Sequence, residues 1–208
     1  MNFFQRLVIK TITKFYPVKV VGKENIIIDG SLVICNHLSA IDVIYLSKCY
    51  LKSDVNFVAK KELFNNAFMS KALSFFGAIP VDRDKPSVSS ILKIIKSLKN
   101  GKTMVIFPEG TRNKSGTTEL QNLKGGSGLF ALKAKCKITP IFIYKKAKLF
   151  QKNYICIGKP FELSDFYDKE ITEENIVAME LCLSNRLNLV QRELYSYISK
   201  KKLKKREV

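Results

Sequence analysis

The chain has 208 residues, 46% of them apolar, which suffices for one packed domain and excludes a disordered chain. Its formal charge of +18 favours a polyanionic partner, nucleic acid or an anionic lipid surface, and does not by itself choose between them. Five scattered cysteines (Cys35, Cys49, Cys136, Cys156 and Cys182) form no CxxC pair, so they read as reduced packing residues and not as a disulfide framework or zinc site.

In residues 1–16, MNFFQRLVIKTITKFY, Phe3, Phe4, Leu7, Val8, Ile12, Phe15 and Tyr16 recur at helical spacing. Gln5, Arg6, Lys10, Thr13 and Lys14 lie largely on the other side. The segment has neither the unbroken apolar centre nor the small-residue cleavage site of a signal peptide. It predicts an amphipathic helix whose aromatic side meets a membrane surface; the alternative is that this side packs on the protein's own core. No apolar stretch reaches the roughly 18–20 residues of a membrane-spanning helix. The expectation is therefore peripheral or monotopic attachment at the cytoplasmic face of the membrane, with no transmembrane span.

Beyond Pro17, short β-branched runs alternate with helix-length amphipathic stretches. VKVV (18–21), III (26–28), LVIC (32–35), VNFVA (55–59), AIPV (78–81), TMVIF (103–107), ITPIFI (138–143) and YICI (154–157) predict strands. Residues 40–50, 62–76, 87–99 and 126–135 predict helices between them, and 172–202 a long helix at the end. This alternation predicts a single α/β domain over 17–170 with a central, largely parallel sheet flanked by helices. The amphipathic helix of 1–16 precedes it, and 171–208 form a C-terminal helix and basic tail that pack on or extend from the same domain.

The only histidine, His37, stands with Asn36 just past the apolar run LVIC, at a predicted strand end where open α/β sheets place their sites. Asp42 follows five positions later. Ser39 and Asp42 fit a capping box, with Ser39 as N-cap and Asp42 at the third helical position, which is a purely structural role for the acid. The chemical role is that a carboxylate folded against the imidazole orients it as a general base. Cys35 lies two residues from His37 on the same strand face, yet an apolar run suits an inert thiol better than a nucleophile.

Arginine is rare: six of the 36 basic residues, the rest being lysine. Two of the six, Arg83 after GAIPVD and Arg112 in FPEGTR, follow predicted strand ends on the edge that carries His37. A guanidinium fork suits phosphate in a way that a lysine point charge does not, although each arginine alone would fit an exposed ion pair. Pro108 ends the strand, Gly110 permits a tight turn, and LKGGSG (123–128) offers amides at a helix start that could meet a phosphate or an oxyanion.

NHLSAID, GAIPVDR, FPEGTR and the Pro-containing strand ITPIFI occur in that order between Asn36 and Ile143, about half of the chain. This set resembles the glycerolipid acyltransferase family, whose best-known members act on 1-acyl-glycerol-3-phosphate. The resemblance implies transfer of a fatty acyl group from acyl-CoA or acyl-carrier protein to the free sn-2 hydroxyl of 1-acyl-glycerol-3-phosphate. The product would be phosphatidic acid. His37 would be the base and Asp42 its orienting acid, with no acyl-enzyme, no metal and no bound cofactor. Gly77, Arg83, Glu109, Gly110, Thr111 and Arg112 would bind the acceptor's phosphate, and Asn36, Lys124 and Gly126 would offer further donor or phosphate contacts.

Two positions depart from the family pattern. Lys124 is followed by Gly125 where relatives carry a basic pair, and Lys137–Ile138 stand where an additional proline is usual. These departures bear on acceptor and donor identity, and another lysolipid or an amino-lipid stays open as the acceptor. A basic nucleic-acid-binding protein fits the charge, but no basic-aromatic signature for that role is present.

Overall fold

The computed structural model of the chain describes residues 1–28, 30–53, 55–82, 87–115, 119–124 and 126–204. Among these residues seven strands form one sheet: β1 (Val18–Val21), β2 (Ser31–Cys35), β3 (Val55–Lys60), β4 (Ala78–Val81), β5 (Thr103–Ile106), β6 (Lys137–Ile143) and β7 (Asn153–Ile157). Their spatial order is β1-β7-β6-β2-β5-β3-β4. Every pairing is parallel except β6 with β7, so β1 and β7 run against the other five. Sequence position explains burial. Central β2 and β5 are apolar or small throughout and buried at every residue, whereas edge strand β4 is only alternately buried. An edge also tolerates Pro80, and in β6 Pro140 falls just outside the pairing with β7, which spans Ile141–Ile143.

Among the described residues six α-helices cover the two faces: α1 (Phe3–Phe15), α2 (Ile41–Cys49), α3 (Ala67–Phe75), α4 (Val88–Lys99), α5 (Ser127–Ala134) and α6 (Glu173–Lys204). On one face Leu32, Ile34, Val81, Met104 and Ile106 pack against Ile94 of α4, Leu132 of α5 and Leu183 of α6. On the other, Val33, Cys35, Phe57, Val105 and Phe107 pack against Tyr45 and Leu46 of α2. α6 is long because it carries a sustained apolar stripe. Met179, Leu183, Leu187, Val190, Leu194 and Ile198 recur every three or four residues, and all are buried. Each such side chain contributes on the order of 1.5–3 kcal/mol of burial free energy. The later part of the stripe meets Phe142 and Cys156 of β6 and β7.

Several expectations need correction. Residues 26–28 are not a strand: they follow a 3₁₀ turn at Lys23–Asn25, and β1 takes its one ladder from β7. The Asn25 side chain donates to the Ile157 carbonyl (2.8 Å), tying the turn to the sheet end. The stretch 62–76 divides, because Asn66 caps a new helix by accepting the Met69 N–H (3.0 Å). Ser39 is not the N-cap of α2; Ala40 is, and Asp42 occupies the second helical position.

α1 differs most from its sequence profile. Ile9 and Thr13 are its buried residues, although the sequence pattern puts Thr13 on the polar side. Phe3, Phe4, Leu7 and Phe15 are exposed, Phe3 at 74%. The helix therefore packs through one side and presents a second apolar side, flanked by Arg6, Lys10 and Lys14, outward. Among the described residues no helix is long and apolar enough to cross a membrane.

Candidate active site

Because β2, β3, β4, β5 and β6 run the same way, the residues that follow them lie along one sheet edge. Two of these connections meet at His37. It follows β2, its ring stacks on Phe107 at the end of β5 (centroids 3.9 Å apart, planes at 15°), and it is nearly buried.

Asp42 is fully buried, and its carboxylate turns back onto the loop before α2. Oδ2 accepts His37 Nδ1–H at 2.9 Å and the backbone N–H groups of Leu38 and Ser39 at 2.7 Å each. Oδ1 accepts the Ser39 hydroxyl at 2.9 Å. So many donors on one buried oxygen require an acceptor-only carboxylate, which puts a proton on Nδ1, so a neutral ring would present its lone pair at Nε2. Among the described residues Nε2 has no hydrogen-bond partner. The capping and orienting roles of Asp42 thus belong to one carboxylate, with Ser39 bonded to it in place of the helix amides.

Glu109 is 2% exposed and does not face outward. Its Oε1 accepts the His37 backbone N–H at 2.8 Å and its Oε2 accepts the Gln121 N–H at 3.2 Å. Burial raises its pKa, and these two backbone donors partly offset the rise. This corrects the expectation of a phosphate contact: both oxygens are engaged, and a carboxylate repels phosphate. Glu109 instead pins the His37 backbone to the loop after FPEGTR. Asn113 adds a second tie by donating its N–H to the His37 carbonyl (2.8 Å).

Asn36 is likewise a strut. Its side chain donates to the Ile143 carbonyl (3.0 Å) and accepts the Ile143 N–H (2.8 Å), so its amide is committed to the end of β6. The Gly126 N–H is held as well: Glu180 of α6 accepts it and that of Gly128, each at 3.1 Å, and so occupies the start of α5. No local pattern announces this cap, because its acceptor lies more than fifty residues away. Gly77 stands before β4, at the strand end remote from His37. Its φ of +68° and the close approach of Asn56 and Val55 explain the glycine as a turn residue. Cys35 is buried, and desolvation holds its thiol well above the ordinary range, which suits an inert residue.

Of the remaining predicted residues, Thr111, Arg112 and Lys124 are exposed near the edge, and Arg83 lies outside the described residues. Gly110 adopts φ +69°, a left-handed turn conformation that favours glycine, and the flexible Lys124 stem lies over it. His37 and Arg112 both line a cavity of about 170 Å³ between the sheet and α3, whose other walls include Val43, Phe57, Leu73 and Phe76. Phe107 was missed as a site residue. Its position as the last apolar residue before Pro108 is the signal that could have found it. Among the described residues no group of His, Cys, Asp and Glu side chains could hold a metal ion.

A buried histidine–carboxylate pair thus stands at the carboxyl edge of an α/β sheet, beside a largely apolar cavity. The family model described as Acyltransferase matches residues 17–144, and the chain belongs to that family and is an acyltransferase. It is 35% identical over 187 residues to the 1-acyl-sn-glycerol-3-phosphate acyltransferase of Bacillus subtilis, covering 85% of this chain and 89% of that protein. It is 40% identical over 135 residues to the protein of the same name from Helicobacter pylori, covering 64% of this chain and 54% of that one. Its fold is similar to the crystal structure of the 1-acyl-sn-glycerophosphate acyltransferase PlsC from Thermotoga maritima. The TM-score is 0.62 at 23% identity, over 92% of this chain and 81% of that one.

Proposed function

We propose that this acyltransferase transfers a fatty acyl group from an acyl thioester to the free sn-2 hydroxyl of 1-acyl-glycerol-3-phosphate, giving phosphatidic acid for phospholipid biosynthesis. The names of its relatives support the acceptor. The observation that supports the chemistry is the 2.9 Å hydrogen bond from His37 Nδ1–H to fully buried Asp42, which leaves Nε2 as the proton acceptor.

In the proposed reaction the acceptor hydroxyl gives its proton to Nε2 as its oxygen attacks the thioester carbonyl. Asp42 stabilises the positive charge that forms on the ring. The tetrahedral intermediate collapses, the carbon–sulfur bond breaks, and the departing thiolate takes the proton back from the imidazolium. The enzyme ends as it began, with no acyl-enzyme, metal or bound cofactor, and acyl-CoA or acyl-carrier protein serves as co-substrate. Exposed Arg112 and Lys124 support a site for the acceptor's phosphate, and Arg83, from its sequence position after GAIPVD, would be a third cation there. A test is thiol release from an acyl thioester in detergent: it should require lysophosphatidic acid, and equal release without any acceptor would refute the proposal.

The exposed side of α1 supports attachment to the cytoplasmic face of the membrane. Phe3, Phe4 and Leu7 would enter the lipid boundary while Arg6, Lys10 and Lys14 meet anionic head groups. Replacing Phe3, Phe4 and Leu7 with Ser should lower sedimentation with phosphatidylglycerol vesicles by at least tenfold, since each exposed aromatic or Leu buries on the order of 1.5–3 kcal/mol of apolar surface. Turnover of detergent-dispersed substrate should persist. Unchanged vesicle binding would refute this attachment.

A further inference from the structure

We infer that the connection between β6 and β7, residues 144–152, is a second membrane anchor that acts with α1 and turns the sheet edge carrying His37 toward an anionic bilayer; this rests on the membrane attachment proposed above. The segment reads YKKAKLFQK. Lys145, Lys146, Lys148 and Lys152 stand among its nine residues, with no acid, and Leu149 and Phe150 lie between them. Leu149 is 52% exposed and Phe150 68%. Apolar side chains that project between lysines suit a lipid boundary, where the former enter the acyl region and the latter meet anionic head groups.

This exposure does not come from a slack loop. The Gln151 N–H donates to the Lys148 carbonyl (3.2 Å), closing a turn around the apolar pair. The Asn153 side chain donates to the Lys145 carbonyl (2.6 Å), and its N–H to the Pro17 carbonyl (2.9 Å). Ala147 packs inward on the cluster that holds Val33, Cys35 and Ile155. The loop thus buries one apolar residue and holds the next two outward. Phe150 does so at φ +57°, a left-handed conformation that favours glycine and strains a residue with a β-carbon. A contact outside the chain gives a reason for a large aromatic at that position.

The loop is continuous with α1. The Phe150 N–H donates to the Phe15 carbonyl at 2.7 Å, and the two rings lie 5.8 Å apart. Phe15 ends α1 and is itself exposed, so the helix's outer aromatic side passes directly into the loop. At its other end the loop follows Ile143, whose N–H and carbonyl are both bonded to the Asn36 side chain, one residue before His37. The anchor therefore leaves the sheet at the carboxyl edge that carries the histidine. An acidic protein would match the lysines; a bilayer matches in addition the outward Leu149 and Phe150 and their junction with α1.

The chain contains no tryptophan, so a single introduced tryptophan reports its own surroundings. With vesicles of equal parts phosphatidylcholine and phosphatidylglycerol, Phe150→Trp fluorescence should shift to shorter wavelength and be quenched by lipid brominated in its acyl chains. Leu149→Trp should behave alike and serves in its place should the first variant misfold. Phe3→Trp, in α1, reads the attachment proposed above independently. Replacing Leu149 and Phe150 together with Ser should weaken binding to these vesicles about tenfold and slow turnover of acceptor carried in them, with turnover of detergent-dispersed acceptor unchanged. Replacing Lys146, Lys148 and Lys152 with Gln should weaken binding about fivefold for each lysine, and only where phosphatidylglycerol is present. Quenching of Phe3→Trp without quenching of either loop tryptophan would overturn the inference and leave α1 as the anchor. Weakening by the lysine replacements with none from the Ser replacements would also overturn it, and would assign the patch to an acidic soluble partner. No quenching at any of the three positions overturns both readings.

Discussion

His37→Ala should lower lysophosphatidic acid-dependent thiol release by about 10²- to 10⁴-fold, the range for loss of a positioned general base. The fold should persist. Asp42 keeps the Leu38 and Ser39 N–H groups and the Ser39 hydroxyl, so its buried charge is not stranded when the ring is removed. Far-ultraviolet circular dichroism and the cooperative unfolding transition should therefore stay close to wild type. A folded His37→Ala protein with an unaltered rate would remove the base from the mechanism.

Glu109→Ala should be nearly as damaging for a different reason. Its carboxylate joins two segments through the N–H groups of His37 and Gln121, and the variant strands both donors in a buried setting. Stability should fall by about 1–3 kcal/mol for each donor left unpaired. Displacement of the His37 backbone by about 1 Å should cost on the order of 10²-fold in kcat. The decisive feature is which constant moves. A group that positions His37 changes kcat and leaves the acceptor KM near wild type, whereas a phosphate ligand changes the acceptor KM. Glu109→Gln separates the cases further. Its carbonyl can still receive the His37 N–H while its amide faces the Gln121 N–H donor to donor, so kcat should recover substantially and stability only in part. A large rise in acceptor KM with kcat intact, in either variant, would return Glu109 to the phosphate site.

Much of the fold was legible because strong local signals agreed with the tertiary arrangement. β4 falls on Ala78–Val81, bracketed by Gly77, and α4 begins one residue after its Ser87 cap, whose side chain accepts the Ser90 N–H at 3.2 Å. The failures came where an apolar pattern had more than one possible partner. Three isoleucines at 26–28 read as a strand, yet they follow the 3₁₀ turn at Lys23–Asn25 and join no ladder among the described residues. In α1 the period showed an apolar face but not that α2 would select Ile9 and Thr13 for packing and leave the phenylalanines outside. The site was legible to the same depth. Residue types and strand ends brought His37, Asp42 and Arg112 to one place. What a chain of letters could not show is direction. Glu109, Asn36 and the Gly126 amide all stand near the edge, but each spends its hydrogen bonds inward on the backbone or on Glu180.

The central claim is that one histidine carries the acyl group's transfer straight from thioester sulfur to a lysolipid hydroxyl. It is tested most directly by a single-turnover experiment with acyl-labelled CoA and lysophosphatidic acid over excess enzyme. The expected result is that thiol and labelled phosphatidic acid appear together in equal amounts, only when the acceptor is present, with no label on the protein at any time. Thiol release that precedes phosphatidic acid and leaves label on the chain, or that proceeds equally without acceptor, would contradict it.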